Sequence, residues 1–330
     1  MPTYLMRAIR PPTCEHFGTA PARTELVFHH DAKRYTLPTT VVAVLPFASL
    51  ASANKALFKQ GLQEEADGQE TPYYAVVTEA TIFHPQGGGQ PSDVGTMTAT
   101  TAADGEGGGV HTPASVVFDV LSARTDAVHP SQVLHFGRFT TGSDNTNGSF
   151  SFATGTPVTQ AIDVAKRILY SRLHTAGHVL GAAVRHLVEQ QVEGFDELKA
   201  SHFPDAASCE FRGKIDGHWK DPIQARLTEY IARAMPIEID WWDAADFRKN
   251  GLERLIPQPA APSSLSSSST TSAVPTDKWR IVRIVGAEVY PCGGTHVDST
   301  DLCGETRVTK ISRSKGISRV SYALADPGMA

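Results

Sequence analysis

Residues 159–191 read TQAIDVAKRILYSRLHTAGHVLGAAVRHLVEQQ, and this stretch decides how the C-terminal half of the chain folds. It lacks proline, contains many residues of high helix propensity, and repeats apolar side chains at helical spacing. We therefore predict one long helix over these residues. Thr159 is its expected N-cap, and Asp163 with Arg167 is the expected i,i+4 ion pair of its first turns.

The sequence on the N-terminal side of this helix is typical of strands. Clusters of Gly, Pro, Asn and Asp separate short β-branched segments, which lie at 24–28, 40–45, 73–83 and 115–121. Such a succession predicts a small β-barrel or sandwich.

The sequence on the C-terminal side mixes helices and strands. We predict helices near 221–234 and 243–254, and strands at 236–242, 278–290 and 316–324. The fold class that follows is α+β.

The length of 330 residues favours two domains. A loop-like stretch at 141–156 supplies the boundary, so we predict an N-terminal domain over 1–155 and a second domain over 156–330. A Ser- and Pro-rich tract at 257–277 interrupts the second domain. Its composition does not support a buried core, and we expect a disordered insertion there.

The composition excludes several classes of protein. The formal net charge of -5 argues against a basic nucleic-acid coat, and four cysteines are too few for a secreted disulfide scaffold. The first residues lack a signal-peptide core, and no run reaches the roughly 18 apolar residues that a membrane span needs. We expect a cytoplasmic monomer that binds neither membrane nor DNA.

The long helix carries a pair of candidate metal ligands. His174 and His178 are four residues apart, so both imidazoles leave the same helix face about one turn apart. Two imidazoles at this spacing are able to hold one Zn²⁺, although the pair alone is a weak signal.

A second candidate pair lies in PCGGTH at 291–296. Cys292 and His296 flank two glycines, which allow the backbone to curl until both side chains face one ion. Three imidazoles and a thiolate form a donor set that Zn²⁺ prefers, whereas Mg²⁺ and Ca²⁺ prefer oxygen. Four protein ligands also fit a closed structural site, so the ligand number leaves a structural and a catalytic zinc both open.

Three motifs together resemble a known family. In chain order they are FHPQGGGQPSDVG at 83–95, RLHTAGHVL at 172–180 and PCGGTHV at 291–297. They resemble the motifs of the alanyl-tRNA editing proteins of the medium form, which are relatives of the editing domain of alanyl-tRNA synthetase. Two positions differ, since His84 and Gln86 stand where that family more often has a tyrosine and an acid.

This resemblance implies a fold and a reaction. It implies an N-terminal β-barrel with the Gly-rich motif, then an α+β editing domain whose zinc-ligand helix packs on an antiparallel sheet. The implied reaction is zinc-dependent hydrolysis of the ester in tRNA-Ala mischarged with serine, with glycine as a second candidate. Thr295 and Gln90 are the candidate partners of the substrate hydroxyl, and we place them among the catalytic residues. Close approach to the acceptor end is the role expected of Gly87, Gly88 and Gly89.

The chain also contains a basic segment at 307–319. It reads RVTKISRSKGISR and contains no acid; its cations are Arg307, Lys310, Arg313, Lys315 and Arg319. Such a segment is suited to a phosphate backbone, and a solvated charged face is the alternative. The Lys315-Gly316 step followed by Arg319 is similar to the family's closing motif, which favours tRNA.

Other chemistry-bearing residues are predicted to be structural. They are His186, His202, His218, Cys209, Cys303, Trp241 and Trp242. Cys209 is the expected small buried thiol of a strand, and the two tryptophans are expected to pack rather than stack on bases.

Two functional hypotheses follow. The first is a trans-editing aminoacyl-tRNA hydrolase, and the second is a non-catalytic RNA- or protein-binding module with a structural zinc. A zinc hydrolase acting on a non-RNA ester or amide ranks lowest. Thr175 occupies the position where a His-Glu-x-x-His peptidase has its general base, which argues against a peptidase.

Overall fold

A closed barrel and a helix-containing α+β region make up the part of the chain that the structure describes. The structure is a computed structural model, and it describes residues 23–67, 73–100, 115–140, 151–257 and 278–325. The predicted fold class is confirmed. The predicted Ser- and Pro-rich insertion lies outside the described residues, apart from residue 257.

Six strands form the barrel, in the order β2-β3-β7-β6-β5-β8. The strands of this half are β1 (Glu25–Leu26), β2 (Thr36–Pro46), β3 (Tyr74–Thr78), β4 (Ala80–Thr81), β5 (Gly95–Thr100), β6 (Ser115–Thr125), β7 (Val133–Thr140) and β8 (Pro157–Ile162). Helices α1 (Ser52–Lys55) and α2 (Lys59–Ala66) follow β2. Buried side chains such as Phe83, Met97 and Phe118 fill the interior, and a closed barrel leaves no sheet edge unpaired.

The start of the long helix differs from the prediction. Thr159 does not cap a helix, because it pairs with Pro38 and Thr98 inside the barrel as part of β8. The helix α3 spans Val164–Val188, and Asp163 is its N-cap, accepting from the Lys166 main-chain N–H at 3.0 Å. We therefore propose that the boundary between the two regions lies at Asp163 rather than at 155.

The predicted ion pair of Asp163 with Arg167 is also wrong. Arg167 is buried, and its Nε donates to both carboxylate oxygens of Asp93 at 3.1 Å. Its Nη1 donates to the Ala32 carbonyl at 2.6 Å. The Gly-rich motif, which contains Asp93, is thus fastened to the first turn of α3 by a buried ion pair.

The C-terminal region places α3 on an antiparallel sheet of order β14-β15-β10-β9. A second sheet has the order β11-β12-β13. The elements are β9 (Asp196–Ser201), β10 (Ser208–Arg212), α4 (Lys220–Ala232), β11 (Ile237–Trp242), α5 (Ala244–Lys249), β12 (Trp279–Ile284), β13 (Glu288–Pro291), β14 (Thr306–Ser314) and β15 (Ile317–Leu324). Buried residues of α3, including Val179, Leu180 and Val184, pack in one cluster with Phe211 and Val320 of the sheet.

The remaining differences are short interruptions of predicted elements. The segment 24–28 forms strand only at β1, and a 3-10 helix over Val27–His29 follows. The segments 73–83 and 278–290 each divide into two strands. Other 3-10 helices span Phe47–Ser49, Gly217–Trp219, Glu253–Leu255 and Thr300–Cys303. Among the described residues, none of the helices combines the length and the apolar character that crossing a membrane requires.

Candidate metal centre

The structure brings the four predicted ligands together. One donor atom from each of His174, His178, Cys292 and His296 lies within 4.8 Å of the donors of the others. Helix α3 supplies the first two. The ligand loop, residues 292–298, follows β13 and supplies the other two. The two pairs are more than a hundred residues apart in sequence, so only the packing of the ligand loop against α3 joins them.

The distances within the cluster suit a shared ion. The Sγ of Cys292 lies 3.3 Å from Nε2 of His174 and 3.4 Å from Nε2 of His296. Gly294 allows the loop to pass close to the helix, because a Cβ at this position would lie 2.1 Å from Cε1 of His174. Glycine is therefore required on steric grounds at position 294, the second of the two loop glycines.

Gln90 of the Gly-rich motif orients the first ligand. Its Oε1 accepts from Nδ1 of His174 at 2.6 Å and from the main-chain N–H of Thr295 at 3.0 Å. Its Nε2 donates to Oγ1 of Thr295 at 2.9 Å, and that hydroxyl lies 2.8 Å from Oγ of Ser171. With Nδ1 donating, Nε2 of His174 presents its lone pair to the cluster.

Thr175 orients the last ligand. Its Oγ1 lies 3.2 Å from Nδ1 of His296 and accepts from the Val297 main-chain N–H, also at 3.2 Å. Thr175 stands where a His-Glu-x-x-His peptidase has its general base, and its hydroxyl here holds the His296 ring instead.

Arg280 of β12 holds the ligand loop by hydrogen bonds to its main-chain carbonyls. Its Nη1 donates to the carbonyl of Cys292 at 2.7 Å and to that of Gly294 at 3.0 Å. Its Nε donates to the carbonyl of His29 at 3.0 Å. The loop is thereby joined to the N-terminal segment, in which the sequence showed no motif.

Burial controls the protonation of the cluster. Burial, together with neighbouring imidazoles, holds the pKa of His174 and His296 well below 6.5. Burial also lowers the pKa of His178 to about 3, and it raises the pKa of the Cys292 thiol. The imidazoles are therefore neutral at physiological pH, as metal ligation requires, and a metal would displace the thiol proton.

The residues present fit a zinc ion. The Nε2 atom of His178 is buried and has no hydrogen-bond partner among the described residues. A buried polar atom without a partner is destabilising, and an ion between the four donors would satisfy it. Its ring packs 4.2 Å from that of Tyr290, whose hydroxyl donates to the His178 carbonyl at 3.2 Å.

Sequence reasoning missed His202 as a neighbour of this centre. Its buried ring stacks on that of His174, with centroids 4.2 Å apart. Its position just after β9 carries no spacing signal, so only the fold reveals it. His186 instead bonds the Tyr230 hydroxyl at 2.7 Å, and His218 is exposed.

The predicted substrate-binding residues lie in two places. Gly87, Gly88 and Gly89 form the turn before Gln90, where Gly87 and Gln90 exchange main-chain hydrogen bonds of 3.3 and 2.9 Å. The five predicted cations are exposed on the β14–β15 hairpin, away from this turn in sequence; they are Arg307, Lys310, Arg313, Lys315 and Arg319.

Among the residues that the structure describes, the remaining cysteines and the tryptophans lie outside the cluster. Cys209 is buried on β10, as predicted, and Cys303 is buried at the end of a 3-10 helix. Trp242 is buried, and its Nε1 donates to Asp240 at 2.8 Å, while Trp241 stacks on His30 with centroids 5.3 Å apart.

Comparison with known proteins finds similarity to aminoacyl-tRNA synthetases and to an alanyl-tRNA editing protein. Residues 279–321, which include Cys292 and His296, match the family described as the threonyl and alanyl tRNA synthetase second additional domain. The chain is 25% identical over 317 residues, 93% of its length, to the alanine–tRNA ligase of Methanosphaera stadtmanae. It is 25% identical over 248 residues, 75% of its length, to the alanyl-tRNA editing protein AlaX-L of Pyrococcus horikoshii.

The chain is homologous to these proteins. The predicted relationship to the alanyl-tRNA editing proteins and to alanyl-tRNA synthetase is thus confirmed, whereas the medium form stays a prediction. The chain spans 27% of the length of the Methanosphaera ligase and 50% of the length of the Pyrococcus editing protein. The matched range 279–321 covers β12, β13, the ligand loop and most of the β14–β15 hairpin.

Proposed function

We propose that this chain is an aminoacyl-tRNA hydrolase that deacylates mischarged tRNA-Ala in trans. The observation that carries the proposal is the cluster of three imidazoles and one thiol, two of its residues buried and two half-buried, in a chain homologous to an alanyl-tRNA editing protein. Serine is the proposed misplaced amino acid, and glycine is the second candidate. The proposed setting is the cytoplasm, and the proposed oligomeric state is a monomer.

Zn²⁺ is the proposed cofactor, held by His174, His178, Cys292 and His296. When bound, it would supply either an activated water or a Lewis acid for the ester carbonyl. The protein's own contribution is orientation. Gln90 and Thr175 each bond the ring nitrogen that faces away from the cluster, so the imidazoles are directed before substrate arrives.

The proposed specificity depends on hydroxyl groups beside the cluster. Thr295 and Ser171 share a hydrogen bond of 2.8 Å, and Gln90 donates to the same Thr295 oxygen. A site built to bond a hydroxyl discriminates strongly against an analogue that lacks it. We therefore propose that Thr295 and Gln90 border the seryl side chain, so that alanyl-tRNA is spared.

Two surfaces are proposed to hold the tRNA. The turn at Gly87–Gly89 presents main chain without side chains next to Gln90, which suits close approach of the acceptor end. The β14–β15 hairpin presents exposed cations suited to the phosphate backbone. Strand β15 connects the two surfaces. Its Tyr322 contacts His202, whose main-chain N–H donates to the Gly89 carbonyl, while Arg319, about 10 Å earlier and on the opposite face of the strand, is exposed.

A structural zinc in a non-catalytic binding module is the second candidate. One observation favours it: all four donors come from the protein and are close enough to complete a tetrahedron. In this case the cluster would stabilise the contact between α3 and the ligand loop without turning over an ester.

The deciding experiment is deacylation of Ser-tRNA-Ala by the purified chain, with Ala-tRNA-Ala as the substrate to be spared. We expect hydrolysis of the seryl ester that chelation abolishes and zinc restores, while the circular dichroism spectrum is retained. His218→Ala serves as a matched control, because that histidine is exposed and should keep full activity. Stoichiometric zinc with no deacylation would instead support the binding module. Cys292→Ala does not discriminate, since either hypothesis predicts loss of metal.

A further inference from the structure

His202 is a fourth imidazole beside the three imidazoles and one thiol of the proposed ligand set. Its ring centroid lies 4.2 Å from that of His174 with 22° between the planes, and 6.2 Å from that of His178. Only 2% of the residue is exposed. His202 belongs to neither ligand pair, and it lies in the connection between β9 and β10.

Hydrogen bonds to separate segments fix the orientation of this ring. Its Nδ1 lies 2.7 Å from the Tyr322 hydroxyl, and that hydroxyl donates to the Leu173 carbonyl at 2.9 Å. Because the hydroxyl proton is directed at Leu173, Nδ1 of His202 is the donor to Tyr322. The main-chain N–H of His202 donates to the Gly89 carbonyl at 2.8 Å. The ring is therefore joined to the Gly-rich turn, to α3 and to β15.

Two glycines leave the space in which the ring lies. A Cβ on Gly177, between the two helix ligands, would come within 2.4 Å of Cε1 of His202 and 2.7 Å of the Tyr322 hydroxyl. A Cβ on Gly89 would come within 2.4 Å of the Ala200 carbonyl oxygen and 3.2 Å of Cδ2 of His202. A side chain at Gly177 would displace the ring from His174, and one at Gly89 would clash with the Ala200 main chain and crowd the ring.

The stacking of His202 restrains the tilt of the His174 ring, which the hydrogen bond from His174 to Gln90 does not. Gln90 holds His174 at one atom, Nδ1, and a single hydrogen bond leaves the ring free to tilt about that contact. A flat neighbour 4.2 Å away opposes the tilt through van der Waals contact over the whole ring face. The two restraints together fix both the direction and the plane of the imidazole.

We propose that His202 is a positioning residue that holds the plane of the His174 imidazole for metal binding, with Gly89 and Gly177 admitting its ring. This role rests on the metal centre of the proposed function. The role implies that three residues of the HTAGH motif of α3 serve metal binding: the ligands His174 and His178, and Gly177, which leaves space for the His202 ring.

The test compares metal binding by apo protein with His202→Ala, His202→Asn and the exposed control His218→Ala. Asn keeps a donor for Tyr322 but lacks the ring, so it separates stacking from hydrogen bonding. Dissociation constants for Zn²⁺ and Co²⁺ are measured by competition with a chelating dye, and the visible absorption of the Co²⁺ form reports ligand geometry. Melting of each apo protein reports the fold independently.

We expect both His202 variants to bind metal on the order of ten-fold more weakly and to shift the Co²⁺ absorption bands, while the control matches the unaltered protein. Should Ala unfold the chain, the Asn variant gives the same readout. Unchanged affinity and an unchanged Co²⁺ spectrum in either folded variant would overturn the role of His202. Failure of the unaltered protein to bind either metal would overturn the metal centre itself, and this role with it.

Discussion

Gln90 is a fully buried amide that satisfies three groups at once. It accepts from His174 and from the Thr295 main chain, and it donates to the Thr295 hydroxyl. The role in substrate recognition that we propose for Gln90 and its contact with a proposed metal ligand therefore fall on one side chain. The sequence motif indicated the first role by resemblance, and the geometry adds the second.

We predict that Gln90→Ala weakens zinc binding on the order of ten- to a hundred-fold, because Nδ1 of His174 loses the acceptor that fixes its tautomer. Chelator competition on the purified variant measures this. Gln63→Ala is the control, since that glutamine is exposed on α2 and its side chain bonds the exposed Asp67. Equal zinc affinity in the two variants would contradict the orienting role.

The buried His135 of the barrel should make the free energy of unfolding depend on pH. It is fully buried and bonds the Thr81 hydroxyl and the Val76 carbonyl, both at 2.8 Å, and burial lowers its pKa to about 4. The unfolded chain, with a histidine pKa near 6.5, binds the proton first. The contribution of His135 to folding stability is therefore fully present above pH 6.5, and it is lost as the pH falls towards 4.

We expect this one residue to account for about 3 kcal/mol of the loss in unfolding free energy between pH 7 and 4. Urea unfolding at several pH values, with metal removed, measures the slope for the unaltered protein and for His135→Asn. The variant should show a shallower slope, whereas the exposed control His129→Asn should keep the original one. Parallel slopes for all three proteins would refute the assignment.

At the scale of elements, the first turn of α3 depends on a buried ion pair. Arg167 and Asp93 are both about 1% exposed in their side chains, and Arg167 also bonds the Ala32 carbonyl. The pair connects the Gly-rich motif, the helix and the N-terminal segment. Removing one partner would leave a buried charge without compensation.

We predict that Arg167→Met lowers the free energy of unfolding by about 3–5 kcal/mol. The control is Lys166→Met on the same turn, whose pair with Asp163 is 3.7 Å long and partly exposed; we expect less than about 1 kcal/mol there. Urea denaturation of both variants measures the difference. Similar effects for the two variants would show that burial of the Arg167 pair does not matter.

At the scale of the whole molecule, the proposed tRNA path runs from the metal centre to the β14–β15 hairpin. Three of the five hairpin cations already face carboxylates: Arg307 with Glu305, Arg313 with Asp216 and Arg319 with Glu210. Within the described residues, neither Lys310 nor Lys315 takes part in an ion pair. The charges of these two lysines are not offset by a neighbouring carboxylate in that part of the chain, so they are the better candidates to bind a phosphate.

We predict that Lys310→Ala and Lys315→Ala each weaken tRNA binding and reduce the slope of log affinity against log salt by about one. Arg307→Ala is the matched comparison, because Glu305 at 2.6 Å already offsets its charge, and its effect should be smaller. Filter binding at several salt concentrations measures all three. An effect of Arg307→Ala as large as that of the lysines would argue against this path.

Much of the architecture was predictable from local sequence. The turns and β-branched segments indicated the barrel, and the apolar period of 159–191 indicated the long helix. The start of that helix was not predictable, because residues of good helix propensity after Thr159 are drawn into the barrel by pairing with Pro38 and Thr98. Partners distant in sequence there override local preference.

The sequence by itself determined which residues could hold a metal ion. Spacing on one helix face and on one Gly-rich loop is local, so His174, His178, Cys292 and His296 were identifiable from the printed chain. The tertiary structure alone decided their surroundings: Gln90 behind His174, His202 on its face and Arg280 beneath the loop. The physical reason is that a side chain's neighbours across space depend on how sheets and helices pack, and no local pattern encodes contacts between segments so far apart in sequence.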